Sequence, residues 1–196
     1  IWHGHSCFEI TGKDGTIVFD PYQANSVPGL NSLKLKANLV LCSHEHDDHN
    51  ARNCVEVAPK DFKVTCIETY HDHHKGSHRG KNTIHIVDFE DLKVVHMGDI
   101  GCMMDDVSKL KNCDVLMIPI GGYYTIDTKE ALKYIERIQP RIVIPMHYHS
   151  HEFGYDVLST NEEFIQQSSS VTYVDDCLEV NKDTKTQTVV FKKPRN

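Results

Sequence analysis

The segment Ser43-His44-Glu45-His46-Asp47-Asp48-His49-Asn50 places three histidines and two aspartates in eight consecutive positions. On a regular α-helix, at about 100° per residue, His46 would lie nearly opposite both His44 and Asp48, so one helix cannot aim these side chains at a common point. An extended segment that turns into a helix can. His44 and His46, two apart on an extended strand end, point the same way and can share one metal ion. Asp48 and His49, in the first turn beyond the bend, then reach a second. Imidazole nitrogen with carboxylate oxygen suits zinc, manganese or iron, whereas calcium takes oxygen alone. Two such ions about 3.5 to 4 Å apart clamp one water between them and lower its pKa towards neutrality, which makes it a nucleophile.

The rest of the chain supplies a frame for that cluster. Two apolar runs in "SCFEITGKDGTIVFD" meet at Gly12-Lys13-Asp14-Gly15, a hairpin signal, and stop at Asp20-Pro21. "ANLVLCS", "FKVTCIET", "NTIHIVDF", "LKVVHMGD", "CDVLMIPI", "RIVIPMHY", "VTYV", "CLEV" and "QTVVF" read as further strands, with a tight turn at Glu90-Asp91. Helical periodicity appears in "TIDTKEALKYIERIQP", where Asp127 and Glu130 form a capping box and Pro140 marks the exit, and more briefly in "STNEEFIQQ", capped by Ser159 or Thr160. The reading is mixed α/β with sheets covered by helices, one domain over residues 1–196. His71, Asp99 and His147 all stand at predicted strand ends, so they can converge with the cluster on one edge of the fold.

Composition narrows the function. Of the 14 histidines, twelve fall into four clusters, and the formal charge of −7 disfavours a nucleic-acid partner. Seven cysteines without CxxC spacing argue against a disulfide framework and point to a reducing compartment. No apolar run is long enough for a membrane span and no secretory leader is visible, so the expectation is a cytoplasmic protein with a small-molecule substrate and no membrane partner.

His44-x-His46-x-Asp48-His49, followed by His71, Gly98-Asp99 and His147, resembles the HxHxDH signature of the metallo-β-lactamase superfamily, and Asp20 is similar to its first motif. "WHGHSCFEI", "HRGKNTI" and "IPIGGYYTID" with "IPMHY" look like small bacterial metal-dependent hydrolases related to the ascorbate-6-phosphate lactonase branch. The resemblance implies an α/β fold, the four-layer αββα sandwich, with the metals at one edge of the paired sheets. It further implies a dinuclear metal-dependent hydrolase in which His44, His46 and His71 hold one divalent ion, and Asp48, His49 and His147 the other. Asp99 would bridge them, and zinc is the first expectation, with manganese or iron as alternatives. The activity implied is attack by a metal-bridging hydroxide on a small-molecule ester, lactone or phosphoester, with Asp48 and Asp99 orienting it and moving the proton. A nuclease or phosphodiesterase of the same fold and a non-catalytic metal-binding domain are the other readings.

The third histidine is taken as His71, directly after its strand, with His73, His74 and His78 read as loop surface. Arg79 and Lys81 are candidates for an anionic substrate group, and Tyr123 and Tyr124 for the pocket wall. Asp20 is read as the acceptor that fixes the histidine loop, and His5 as a neighbour supporting the ligands. His149 and His151 line the mouth or lie on the surface.

Overall fold

The computed structural model describes residues 1–195. Strands β1 (Trp2–Gly4), β2 (Cys7–Gly12), β3 (Gly15–Phe19), β4 (Leu35–Ala37), β5 (Leu39–Leu41), β6 (Val55–Val57), β7 (Lys63–Tyr70), β8 (Lys81–Phe89), β9 (Leu92–His96) and β10 (Val115–Pro119) come first. Helix α1 (Thr128–Ile138), β11 (Ile142–Met146), α2 (Glu162–Gln167), β12 (Val171–Val174) and β13 (Gln187–Phe191) follow. One sheet runs β1-β2-β3-β5, the other β12-β13-β11-β10-β9-β8-β7, and β4 pairs with β6 in a short ladder.

Alternation along β3 shows how the layers stack. Ile17 and Phe19 join Phe8, Ile84, Val95, Met117 and Ile144 in one core between the sheets. Val18, on the opposite face, packs with Tyr22, Val27, Ala37 and Val55 in a second cluster. Strands β10 and β11 are buried along their whole length, and Ala131, Tyr134 and Ile138 of α1 join the main core. This is the expected αββα sandwich, with light outer layers: α1 and α2 on the large sheet, and a 3-10 turn (Arg52–Cys54) with the β4–β6 ladder on the small one.

Several local expectations meet a competing interaction. The run "ANLVLCS" breaks at Asn38, whose side chain accepts from Thr16 N and donates to Ala58 O, leaving two short strands. The helix expected beyond the histidine cluster is only the 3-10 turn, because His49 N bonds to His46 O and Ala51 N to Pro21 O, which ties the chain down before a helix can extend. Segment 177–180 is not a strand. Both sides of β13 are already paired, so Leu178 and Val180 pack on the core without a ladder. Helix α2 begins after Asn161, with no side-chain cap, rather than at Ser159 or Thr160. The capping box at Asp127 and Glu130 is present, and Glu90 and Asp91 both take left-handed backbone in the β8–β9 turn.

Strand direction decides where function can sit. β3 and β5 are parallel, as are β9, β10 and β11, while β7 runs antiparallel to β8 and β8 to β9. The carboxyl ends of β7, β9, β10 and β11 therefore share one edge. His71, Asp99, Gly121 and His147 follow those four ends, while Asp20 and Ser43 follow β3 and β5 in the small sheet. The β1–β2 turn adds His5.

Trp2 anchors that turn. Its ring stacks on Phe191 and Tyr148, meets Phe153 edge-on at 5.4 Å, and its Nε1 donates to His5 O at 3.1 Å. Trp2→Ala is expected to cost about 3–5 kcal/mol, read by equilibrium denaturation. A loss below about 1 kcal/mol would mean that the aromatic cluster does not hold the turn.

Candidate metal centre

Asp99 lies at the middle of the converging strand ends. Its Oδ2 is 3.0 Å from His147 Nε2, 3.1 Å from His49 Nε2, 3.4 Å from His71 Nε2 and 3.9 Å from His44 Nε2. Asp99 N donates to Asn82 Oδ1 at 2.8 Å, and Asn82 is itself tied to Thr69 Oγ1 and Met97 O, so the aspartate has a fixed base. Three groups of side chains have ligand atoms within 4.8 Å of one another: His44, His46 and His71; His5, Asp48, His49 and His147; and His44, His49 and Asp99. Asp99 thus reaches toward both larger sets.

The donor chemistry fits divalent metal. His44 Nε2, His49 Nε2 and Asp99 Oδ1 are buried without a hydrogen-bond partner, an expensive condition unless something else takes their lone pairs. The tautomers follow from the neighbours. Ser43 Oγ donates to Asp20 Oδ2 at 2.6 Å, so its contact with His44 Nδ1 at 2.9 Å is a bond that Nδ1–H donates, and Nε2 is left free. His49 Nδ1–H donates to Asp20 Oδ2 at 2.8 Å and turns Nε2 toward Asp99. His5, Asp20 and His147 hold left-handed backbone, at φ 51, 42 and 53°, a conformation that costs energy and concentrates at functional sites.

Charge balance points the same way. Burial opposes the charge of Asp20 and of Asp99, yet the surrounding imidazoles, His49 foremost for Asp20 and His147 for Asp99, hold both well below the usual carboxylate range. Burial also opposes charge on His49, but Asp99, Asp48 and Asp20 raise it well above an ordinary imidazole. In the metal-free protein a proton on His49 therefore neutralises part of the negative charge. His44, where burial dominates, drops to about 3.

The structure sorts the other candidates. His71 is buried with its ring 4.6 Å from that of His44, whereas His73 is exposed toward Glu130 and the rings of His74 and His78 face each other, tilted, at 4.3 Å. A cavity of about 280 Å³ is lined by His46, Asp48, His71, Arg79, Asp99, Tyr124, His147 and Tyr155. Arg79 and Tyr124 are brought to it. Tyr123 stays 65% exposed outside, with the Arg79 guanidinium over its ring at 5.9 Å and over Tyr124 at 5.3 Å. Lys81 lies in a neighbouring groove, paired with Glu68. His149 faces Asp156 and His151 is exposed.

Two residues escaped the sequence reading. The Tyr155 hydroxyl is 3.3 Å from Asp48 Oδ2 and donates to Ser26 O at 2.7 Å; no spacing rule marks a tyrosine so far along the chain. Asp72 accepts from the backbone N–H of His74, Gly76, His78 and Arg79, at 2.7 to 3.1 Å. Burial opposes its charge, but these four donors hold it below the usual carboxylate range. An aspartate followed by a loop with glycine is the signal that could have found it.

His71→Ala should lower metal affinity by orders of magnitude, while His73→Ala, His74→Ala and His78→Ala stay near wild type, as read by chelator competition with folding checked separately; His73→Ala emptying the site instead would refute the assignment. A second expectation concerns pH. Burial holds His44 near 3 and His85 near 4, against about 6.5 for an unfolded imidazole. From pH 6.5 down to about 4 the unfolded chain takes up protons that the folded, metal-free protein refuses, so stability falls with pH across that window. His49 has the opposite sign, but its contribution is fully present below 6.5 and is lost only as pH rises through its raised pKa. Thermal midpoints of the metal-free protein should therefore drop between pH 6.5 and 4.5, and a flat or rising curve would show that these imidazoles are not buried neutral.

The comparisons with known proteins agree with this geometry. The family model of the "Beta-lactamase superfamily domain" matches residues 1–147. A UPF0173 metal-dependent hydrolase of Natranaerobius thermophilus is 30% identical, with 75% of this chain and 82% of that protein covered. One from Thermoplasma acidophilum is 28% identical over 83% of this chain and 87% of its own length. A candidate zinc-dependent hydrolase of the metallo-β-lactamase superfamily from Thermotoga maritima superposes with a TM-score of 0.78 at 27% identity, covering 97% of this chain and 96% of that one. The chain belongs to the β-lactamase superfamily and, within it, to the UPF0173 metal-dependent hydrolases.

Proposed function

We propose that the protein hydrolyses a small-molecule ester, lactone or phosphoester with two divalent metal ions, zinc first among them. The observation that carries this reading is the convergence of His44, His46, His71, Asp48, His49 and His147 around Asp99, with buried ring nitrogens that no protein group satisfies. Ions bound there supply an activated water and a Lewis acid near neutral pH. The sequence motifs "WHGHSCFEI" and "IPIGGYYTID", which resemble the ascorbate-6-phosphate lactonase branch, are the ground for naming a lactone or phosphoester as the bond broken. Seven cysteines, all free, support a cytoplasmic setting.

The chain's own groups have separable tasks. Asp99, held by Asn82, keeps the two sets of ligands at one register. Asp48 borders the cavity and is held far below the usual carboxylate range, against burial, by His49 and the bond from His5. It is thus an acceptor that receives a proton only when the charge around it changes. The Tyr155 hydroxyl beside it can pass a proton or donate to an oxygen that gains charge. Arg79 has no carboxylate within ion-pair distance among the described residues and rests on two tyrosine rings at the cavity. That is a pre-set anchor for a carboxylate or phosphate on the substrate.

Metal-loaded protein should turn over at least one member of a panel of lactones, phosphodiesters and β-lactams, and His46→Ala should lower that rate by about 100-fold or more. Arg79→Ala should raise KM for an anionic substrate with little change in kcat, because it removes binding rather than chemistry. Turnover of RNA and of no small molecule in the panel would select a nuclease, and metal binding without turnover of any substrate a non-catalytic domain.

A further inference from the structure

One imidazole beyond the seven residues treated above as ligands points into the same space. His5 is fully buried, and its Nε2 lies 3.3 Å from Asp48 Oδ2. Its ring centre is 4.0 Å from that of His147 and 5.3 Å from that of His49. Its ligand atom falls within the same 4.8 Å spread as those of Asp48, His49 and His147. We propose that His5 is a fourth side-chain ligand of the second metal position, an assignment that rests on the two-metal reading.

The plainer alternative is a core histidine satisfied by its bond to Asp48. Two observations weigh against it. At 3.3 Å the contact with Asp48 is longer than an ordinary N–H···O bond, and the ligand atom of His5 shares its space with those of Asp48, His49 and His147. A fully buried imidazole resting on one long contact is weakly accounted for as a core residue. The backbone is also built for the placement. His5 sits at φ 51° directly after Gly4 at φ 107°, where a Cβ would strike Leu30, and the His5 carbonyl accepts from Trp2 Nε1 at 3.1 Å and His147 N at 3.5 Å. These contacts hold the left-handed turn at the ligand cluster.

The two positions then differ in kind. The first has the three imidazoles of His44, His46 and His71, and with Asp99 makes the four-ligand set that suits zinc. The second has the three imidazoles of His5, His49 and His147 with the carboxylate of Asp48, and Asp99, whose Oδ2 lies 3.0 Å from His147 Nε2 and 3.1 Å from His49 Nε2, offers a fifth donor. Five mixed nitrogen and oxygen donors suit a five- or six-coordinate ion such as manganese or iron(II). The centre is therefore fitted for two different ions.

The test uses the metal-depleted full chain, with manganese and zinc as separate probes. His5→Asn removes the imidazole while keeping a residue that tolerates left-handed backbone. Manganese affinity, read from the paramagnetic resonance of free ion, should fall at least about tenfold, while the tightest zinc affinity stays at the wild-type value. In cadmium-loaded wild type, His5 Nε2 should show scalar coupling to the ion, as His49 and His147 do, and this reading needs no variant should His5→Asn fail to fold. Unchanged manganese affinity in a folded variant overturns the proposal. So does weaker manganese binding with no coupling at His5, which would make it a positioning residue for Asp48. A wild-type total of one ion per chain would sink the two-metal reading separately, and coupling at His5 would still decide its role.

Discussion

Asp20 is the interaction on which the centre depends. This fully buried carboxylate follows β3 and accepts from the backbone and hydroxyl of Ser43 and from His49. Through those three bonds it fixes the end of β5, sets the tautomer of His44 through the serine, and sets that of His49 directly. The desolvation it pays is offset only because imidazoles surround it. Removing its charge would leave two histidines free to present the wrong nitrogen.

The parallel sense of the strands explains why so many polar side chains can meet in a protein interior. Open sheets place binding groups beyond the carboxyl ends of their strands, where the chain must turn and side chains can converge. Here two sheets share such an edge, so the candidate ligands arrive from opposite walls of the sandwich. The negative charge assembled there needs a counterion, and in the metal-free protein the proton on His49 fills part of that need. A divalent ion held by these residues would supply a larger positive charge at the same place.

Much of this was legible in the sequence because it is written in contiguous signals. The histidine spacing, the strand ends at His71, Asp99 and His147, the Gly12–Gly15 hairpin and the Asp127 capping box each depend on residues close together in the chain. What stayed hidden depends on distant partners. Asn38 splits a strand because Thr16 and Ala58 claim its side chain; 177–180 alternates like a strand but packs on the core beside β13, whose two sides are already paired. Tyr155 reaches Asp48 across 107 positions. Lys81 looked equivalent to Arg79, but two residues along the chain carries a side chain from the cavity to the adjoining groove.

The Asp72 loop carries a constraint on how such a protein can change over time. One carboxylate collects four backbone donors from a seven-residue stretch, His73 to Arg79. An insertion or deletion between those positions would strip several bonds at once and swing Arg79 off its tyrosines. Divergence of this wall of the cavity is thus channelled into point replacements at fixed loop length, and relatives with a longer or shorter stretch here must have rebuilt it around a different anchor.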